Sequence, residues 1–345
     1  MIVKKNITLK GIIIFTGHHL VWLTAWAVIV ACLYNFTNLK QFSIPWLPVS
    51  LIGTAVAFYV GFKNNQAYDR LWEGRKIWGG IVNSSRSFGT MIKNFVNNQH
   101  TTQAVPEHEL KAITQKIIYR HIAWVYTLRS QLLLNTAWEH VNLQGRYGSF
   151  GRQRQKKFGV GLFEDEVTET NLINYLPKEE METLIDFENT ATQIIDKQAE
   201  ELTKLRSLNL IDDFKHMQLQ LILNDFYTHQ GMAERIKKFP LPRQYANTSF
   251  ILVCLFIFML PFGMVSEFVK LGNWGIWLSI PFMIIVGWIF VVMELVGDYS
   301  ENPFEGLSND VPMFSICRTI EIDLLQMLGK ENIPHAVQAK NGILM

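Results

Sequence analysis

Four stretches of the chain run without Asp, Glu, Lys or Arg for long enough to cross a bilayer: Ile12 to Leu39, Ile44 to Phe62, Ala246 to Ser266 and Leu271 to Met293. A hydrocarbon core of about 30 Å takes roughly 20 helical residues, so each stretch reads as one transmembrane helix. The first begins with Thr16, His18 and His19, which suit a membrane surface, and continues into an apolar body with Trp22 and Trp26; its spanning part is placed at 20–36. Lys40 sits in the link after the first span and Lys270 in the link after the third, giving two helical hairpins with both termini on one side. Pro261 and Pro281 fall inside the third and fourth spans, where a missing N–H bends a helix, and both spans are expected to kink.

Between the hairpins the periodicity is helical. Ile113, Ile117, Ala123 or Trp124, Leu128 and Leu132 recur at helical spacing. Pro177 followed by Glu179, Glu180 and Glu182 opens a helix with acidic side chains in its first turn, and Asp212 or Asp213 caps another that runs to about Lys237. No useful length of strand-like alternation occurs. The expected organisation is residues 1–62 for the first hairpin (spans 20–36 and 44–62) and 63–245 for a helical domain. Residues 246–296 form the second hairpin (spans 246–266 and 271–293), and 297–345 form a C-terminal segment. Lys4, Lys5 and Lys10 precede the first span, and Lys63, Arg70, Arg75, Lys76 and Arg86 follow the second. The positive-inside rule then makes both termini and the middle domain cytoplasmic, with the protein in the cell's inner membrane. The first apolar run is too long for a signal peptide and lacks a small-x-small cleavage site, so it is read as a retained span.

Composition agrees with a lipid solvent: charged residues are 18% of the chain, below the quarter usual in soluble domains. Lys plus Arg at 32 against Asp plus Glu at 30 is too balanced for a nucleic-acid binder. Cys32, Cys254 and Cys317 lie far apart with no metal spacing and read as apolar packers. A basic, glycine-rich stretch at 144–161 suits either contact with anionic lipid heads or an ordinary solvated loop. His18 and His19 are open to three readings: metal ligands, proton relays, or hydrated residues at the interface. No phosphate loop, zinc-protease, nucleophile-elbow or dinucleotide motif is present, so no enzyme is expected and no cofactor is called for.

Two rows run along the second span. Gly53, Ala57 and Gly61 recur every four residues and form a smooth face on which another helix packs closely, here read as the subunit-packing face. Beside it, Thr54, Phe58 and Phe62 recur every four residues; periodicity alone leaves them facing a shared axis, lipid or the bundle interior. Tyr59 is read as lipid-facing.

Three motifs then stand in order around the four spans. YDRLWEGRKIWG (68–79) follows Gly61 and Phe62, FPLPRQY (239–245) leads into the third span, and ENPFEGLSNDVP (301–312) precedes IEIDLLQM (320–327). Together they resemble the bestrophin family, in particular its bacterial members. The resemblance implies an all-α membrane protein, a homopentamer around one axial pore lined by the second span of each subunit. The family's hydrophobic neck falls on Thr54, Phe58 and Phe62, the row already found by periodicity, with Thr54 where the family has an aliphatic residue. Aligning on Gly231 and Pro242 carries the family's cytoplasmic constriction to Phe214. Eukaryotic members bind calcium after the same proline-containing motif. Here Asn302 and Asp310 are weak matches to ligand positions, while Leu307 and Ser308 occupy the space of the remaining carboxylates; Ca²⁺ takes six to eight oxygens, so the segment reads mainly as a structural wrap.

The leading expectation is therefore passive conduction of small monovalent ions, favouring anions such as chloride, with inorganic ions, membrane lipids and copies of the chain itself as partners. A cation-selective member of the same family, a secondary transporter and a non-conducting scaffold are the alternatives. The spans show no buried charge of the kind transporters carry in broken helices, which counts against the second alternative.

Overall fold

The structure, a computed structural model, describes residues 1–6, 9–37, 44–101, 103–142, 148–149, 151–153, 172, 174–185, 187–272 and 274–345. Most of the basic glycine-rich stretch and the link holding Lys40 lie outside the described residues. Described segments are helical, with isolated bridges of Ile343 to Ile2 and Lys340 and no strand among them. In chain order the helices are α1 (Leu9–Thr16), α2 (His18–Phe36), α3 (Trp46–Phe95), α4 (Glu107–Leu132), α5 (Lys178–Ile185), α6 (Thr190–Ser207), α7 (Asp213–Lys238), α8 (Arg243–Phe268), α9 (Gly275–Asp298) and α10 (Met313–Met327).

These helices divide into two compact units. The apolar unit comprises Lys4–Arg70 and Pro240–Asn302, and the larger unit Met1–Val3, Leu71–Phe239 and Pro303–Met345. Four helices are long and apolar enough to cross a membrane: α2, α3, α8 with its short 3₁₀ extension to Leu271, and α9. Helix α3 does not stop where its apolar run stops. Beyond Phe62 the sequence offers Lys63, Gln66, Ala67, Arg70, Leu71 and Glu73, all good helix formers, and no proline before Phe95. Its first 25 residues, 46–70, belong to the apolar unit and the rest to the larger one.

In the apolar unit, α8 and α9 carry Pro261 and Pro281 within unbroken helices. Both lie beyond the first turn. Trp26 stacks on Phe258, and Thr16 accepts a hydrogen bond from the Trp288 indole at 2.9 Å.

The larger unit has a conventional water-soluble core. Trp78, Phe88, Ile117, Trp124, Phe226, Phe304 and Leu324 are fully buried, and each such side chain contributes about 1.5–3 kcal/mol on leaving water. Gly89 of α3 allows α10 to come close, since a Cβ there would fall 2.4 Å from the Leu324 side chain. Asn189 caps α6 by accepting from the Thr192 N–H at 3.1 Å, and Asp212 caps α7 by accepting from Lys215 N–H at 2.8 Å. Residues 303–345 join this unit rather than forming a body of their own. The reason is α10, which buries Ile316, Cys317, Ile320 and Leu324 in the common core.

Candidate pore surface

In the apolar unit α3 buries Val49, Gly53, Val56, Val60, Lys63 and Ala67, steps of four and three that follow one helical face. Thr54, Phe58 and Phe62 lie off that face. Phe58 is 66% and Phe62 64% exposed, and Leu47 and Leu51 extend the bare apolar row toward the helix start. The Thr54 hydroxyl donates to the Ser50 carbonyl at 2.9 Å, so its polar atom is taken up by its own helix. A subunit alone leaves this row largely uncovered, and rows of bulky apolar side chains mark surfaces of interaction.

The small-residue row divides. A Cβ on Gly53 would fall 2.6 Å from the Phe256 ring of α8. The close approach that Gly53 permits is therefore inside the subunit, which corrects its assignment to a subunit-packing face. Ala57 is half-buried, and a Cβ on Gly61 would meet nothing within 4 Å. Tyr59 also departs from expectation: it is half-buried and stacks on Tyr245, ring centroids 6.1 Å apart and planes 19° from parallel. Tyr59, Phe62, Lys63, Leu241 and Tyr245 line a recess of about 480 Å³.

Sequence reasoning missed what Lys63 does. It was counted only among the basic residues that follow the second span, yet it is 1% exposed and its ammonium donates to Glu294 Oε1 on α9, itself 6% exposed. The other carboxylate oxygen accepts from Ser249 Oγ of α8 at 2.5 Å. Asn64 adds a bond to the Met293 carbonyl at 3.0 Å, and Arg70 Nε one to the Glu301 carbonyl at 2.9 Å. Three helices are thus tied together at the residue next to Phe62. The pair lies one residue beyond each of the two spans, so the spans themselves stay free of charge while the helices that continue them bury one ion each.

Phe214 belongs to the larger unit, as the second residue of α7, and is 82% exposed. Met217 and Leu221 continue its exposed face at helical spacing, while Leu219, Ile222, Leu223 and Phe226 form the buried face. Helix α7 is therefore apolar on two sides, and only one of them is used within the subunit.

Of the two weak metal candidates, Asp310 is engaged in the fold. Oδ1 accepts from the Phe304 N–H at 3.0 Å and Val311 N–H at 2.6 Å, and Oδ2 from Gly306 N–H at 2.7 Å. Burial outweighs these three bonds and raises its carboxyl above the usual range. Phe304 has φ 71°, a left-handed conformation that the Asp310 staple and complete burial of the ring hold in place. Asn302, in the apolar unit, has both side-chain polar atoms buried without a partner. Among the described residues no group of three or more His, Cys, Asp or Glu side chains is placed to hold a metal. His18 and His19 lie ring against ring at 4.0 Å, and His19 accepts from the Trp22 indole at 3.0 Å.

A mostly helical membrane protein with a bare aromatic row on one spanning helix is the class these features define. The chain matches the family model "Bacterial/Fungal Bestrophin protein" over residues 6–326, and it belongs to the bestrophin family. It is 27% identical over 315 residues to the voltage-dependent anion channel-forming protein YneE of Escherichia coli O157:H7, covering 88% of this chain and 87% of that one. The voltage-dependent anion channel-forming protein mll4386 of Mesorhizobium japonicum is 25% identical over 287 residues, covering 82% and 75%. The crystal structure of a bacterial bestrophin homolog from Klebsiella pneumoniae shares the fold with a TM-score of 0.73 at 20% identity, over 92% of this chain and 99% of that one.

Proposed function

We propose that the protein is a channel that passively conducts small monovalent anions such as chloride. It works as a homopentamer in the inner membrane, with one axial pore lined by α3 from each subunit. Thr54, Phe58 and Phe62 form its neck, Phe214 forms a second constriction, and the larger unit and both termini are cytoplasmic. The observation that carries this reading is the bare row on α3: two phenylalanines a helical turn apart, more than half exposed, on a helix whose opposite side is fully packed. Five copies around an axis would cover that row and turn ring edges, which are weakly positive, toward passing ions. The names of the relatives point the same way on ion sign. Clustered Lys4, Lys5, Arg75, Lys76 and Arg86 support the orientation.

Purified protein in a planar bilayer under a potassium chloride gradient tests the proposal. Discrete unitary currents reversing near the chloride equilibrium potential are expected. Reversal near the potassium potential would make it a cation channel of the same family, and silence at all voltages would leave only a scaffold. Slow saturable exchange without unitary events would indicate a transporter.

A further inference from the structure

We propose that Asp225 is a specificity-determining residue: its carboxylate, on the same side of α7 as Phe214, repels anions on the conduction pathway and holds chloride preference below what the neck alone would set. The proposal rests on the placement of Phe214 at the axis under the proposed function.

Helix geometry puts the two residues in one row. From Phe214 to Asp225 the helix turns about 20° past three full turns and rises about 16–17 Å. Leu221, 61% exposed, lies between them and about 20° to the other side of the same line. Leu219, Ile222, Leu223 and Phe226, which α7 buries, point away from this row. Asp225 is exposed, so whatever covers or faces Phe214 and Leu221 also meets its carboxylate.

No charge in the subunit answers it. Between Lys215 and Glu234, Asp225 is the one Asp, Glu, Lys or Arg in the sequence. Near the two ends of the helix charges are matched: Asp213 pairs with Arg206 at 2.5 Å and Arg235 with Glu73 at 2.7 Å. Asp225 forms no ion pair or hydrogen bond with another described residue. His229, one turn further on, does not supply the counter-charge, because burial lowers its pKa below 6.5 against the opposing pull of Asp225 itself.

On a lone subunit such a carboxylate is simply hydrated. Copies of α7 arranged around an axis with Phe214 inward bring their Asp225 carboxylates into one ring, and their fields add along the pathway. Acidic rings favour cations, whereas the weakly positive ring edges of the neck favour anions. The two act in series, and Asp225 sets how far the second is offset.

The test uses the full-length protein in planar bilayers under a potassium chloride gradient, reading the chloride-to-potassium permeability ratio from the reversal potential. Asp225→Asn, a substitution of equal size at an exposed position, is expected to raise the ratio at least about threefold, and Asp225→Lys to raise it further. The gain should shrink as salt rises from about 0.1 M to about 1 M, where the screening length falls from about 10 Å to about 3 Å. Glu179→Lys, which changes charge equally at an exposed residue of α5, should leave the ratio as it is. Conducting Asp225→Asn and Asp225→Lys channels with the wild-type ratio would overturn the proposal while conduction itself stood, and so would an equal shift from Glu179→Lys. A silent wild type would remove the conducting function and this proposal together.

Discussion

Lys63 and Glu294 meet as a buried ion pair that ties α3 to α9, with Ser249 of α8 holding the second carboxylate oxygen. Such a pair is worth little as a net contributor to stability, because desolvating both ions offsets most of their attraction. Removing one ion is another matter. Glu294→Ala leaves an ammonium that is 1% exposed without its counter-charge, and a loss of about 3–5 kcal/mol is expected. Lys63→Met with Glu294→Leu, which removes both charges, should recover most of it. Apparent unfolding temperatures in detergent for the two singles and the double close the cycle; a double variant as unstable as Glu294→Ala would refute the uncompensated-charge account.

The same pair marks where sequence stopped being informative. Apolar runs located the apolar part of each of the four candidate spanning helices because hydrophobic length is written locally, but not the continuation of α3 to Phe95. The start of α5, with Glu179 and Glu180 in its first turn, and the Asp212 cap of α7 were legible for the same reason, since both act on their own helices. Lys63 and Glu294 were not legible as partners: 231 positions separate them, and a lone charge after an apolar run reads as a surface anchor. Gly53 failed in the opposite sense. A small residue on a helix says that something approaches closely, but Phe256 in the same subunit supplies that contact as well as another copy would. Helix α6 was not singled out although Ala191, Ile194, Ile195, Leu202 and Leu205 recur at helical spacing and form its buried face.

The glycine row offers a direct separation of folding from assembly. Gly53→Leu has to displace the Phe256 ring, and overpacking of this kind costs about 1–3 kcal/mol within the subunit. At Gly61 a Cβ meets nothing, so Gly61→Leu should leave subunit stability unchanged while reducing the pentamer if that position faces a neighbour. Mass measurement of the solubilised assembly, alongside thermal unfolding, reads the two effects apart. An intact pentamer with Gly61→Leu would remove Gly61 from the interface.

Asp310 yields a prediction about calcium. Its oxygens already accept three backbone N–H bonds, so chelating calcium is expected to leave currents unchanged. Asp310→Ala should instead loosen the turn that holds Phe304 at φ 71°, at a cost of about 2 kcal/mol or more. Currents that depend steeply and reversibly on micromolar calcium would overturn this.

His121 predicts a pH dependence of stability. Its ring is buried against Phe88, Trp124 and Phe226, with Nε2 at 2.9 Å from Ser85 Oγ. Burial pushes its pKa from 6.5 down to about 3. Between those values the unfolded chain binds a proton that the folded one refuses, so stability falls as pH drops from about 6.5 toward 3. The penalty is on the order of several kcal/mol when complete. His121→Phe keeps the ring contacts and removes the titration. The drop in unfolding temperature between pH 7.5 and 5 should therefore shrink in this variant, and an unchanged drop would place the acid sensitivity elsewhere.

The remaining prediction concerns the neck itself. Stripping water from an ion among apolar side chains costs several kcal/mol, so a ring of phenylalanines either blocks the pore or must widen for ions to pass. Phe58 and Phe62 are positioned for that role on the proposed axis, being more than half exposed on the side of α3 away from its buried face. Their truncation should spare the fold, because side chains that touch little in the subunit cost little to remove. Phe58→Ala with Phe62→Ala is therefore expected to raise conductance or open probability several-fold at unchanged unfolding temperature. Tyr59 cannot serve as the bulky control, since it stacks on Tyr245, whereas Phe250 on α8 is 60% exposed and suits the purpose. Phe250→Ala should leave currents as they are. Unchanged conductance in the neck double variant together with altered ion selection in Phe214→Ala would shift control to the start of α7. If neither substitution changes any conductance property, α3 does not line the pathway, and the bare aromatic row is a surface for lipid.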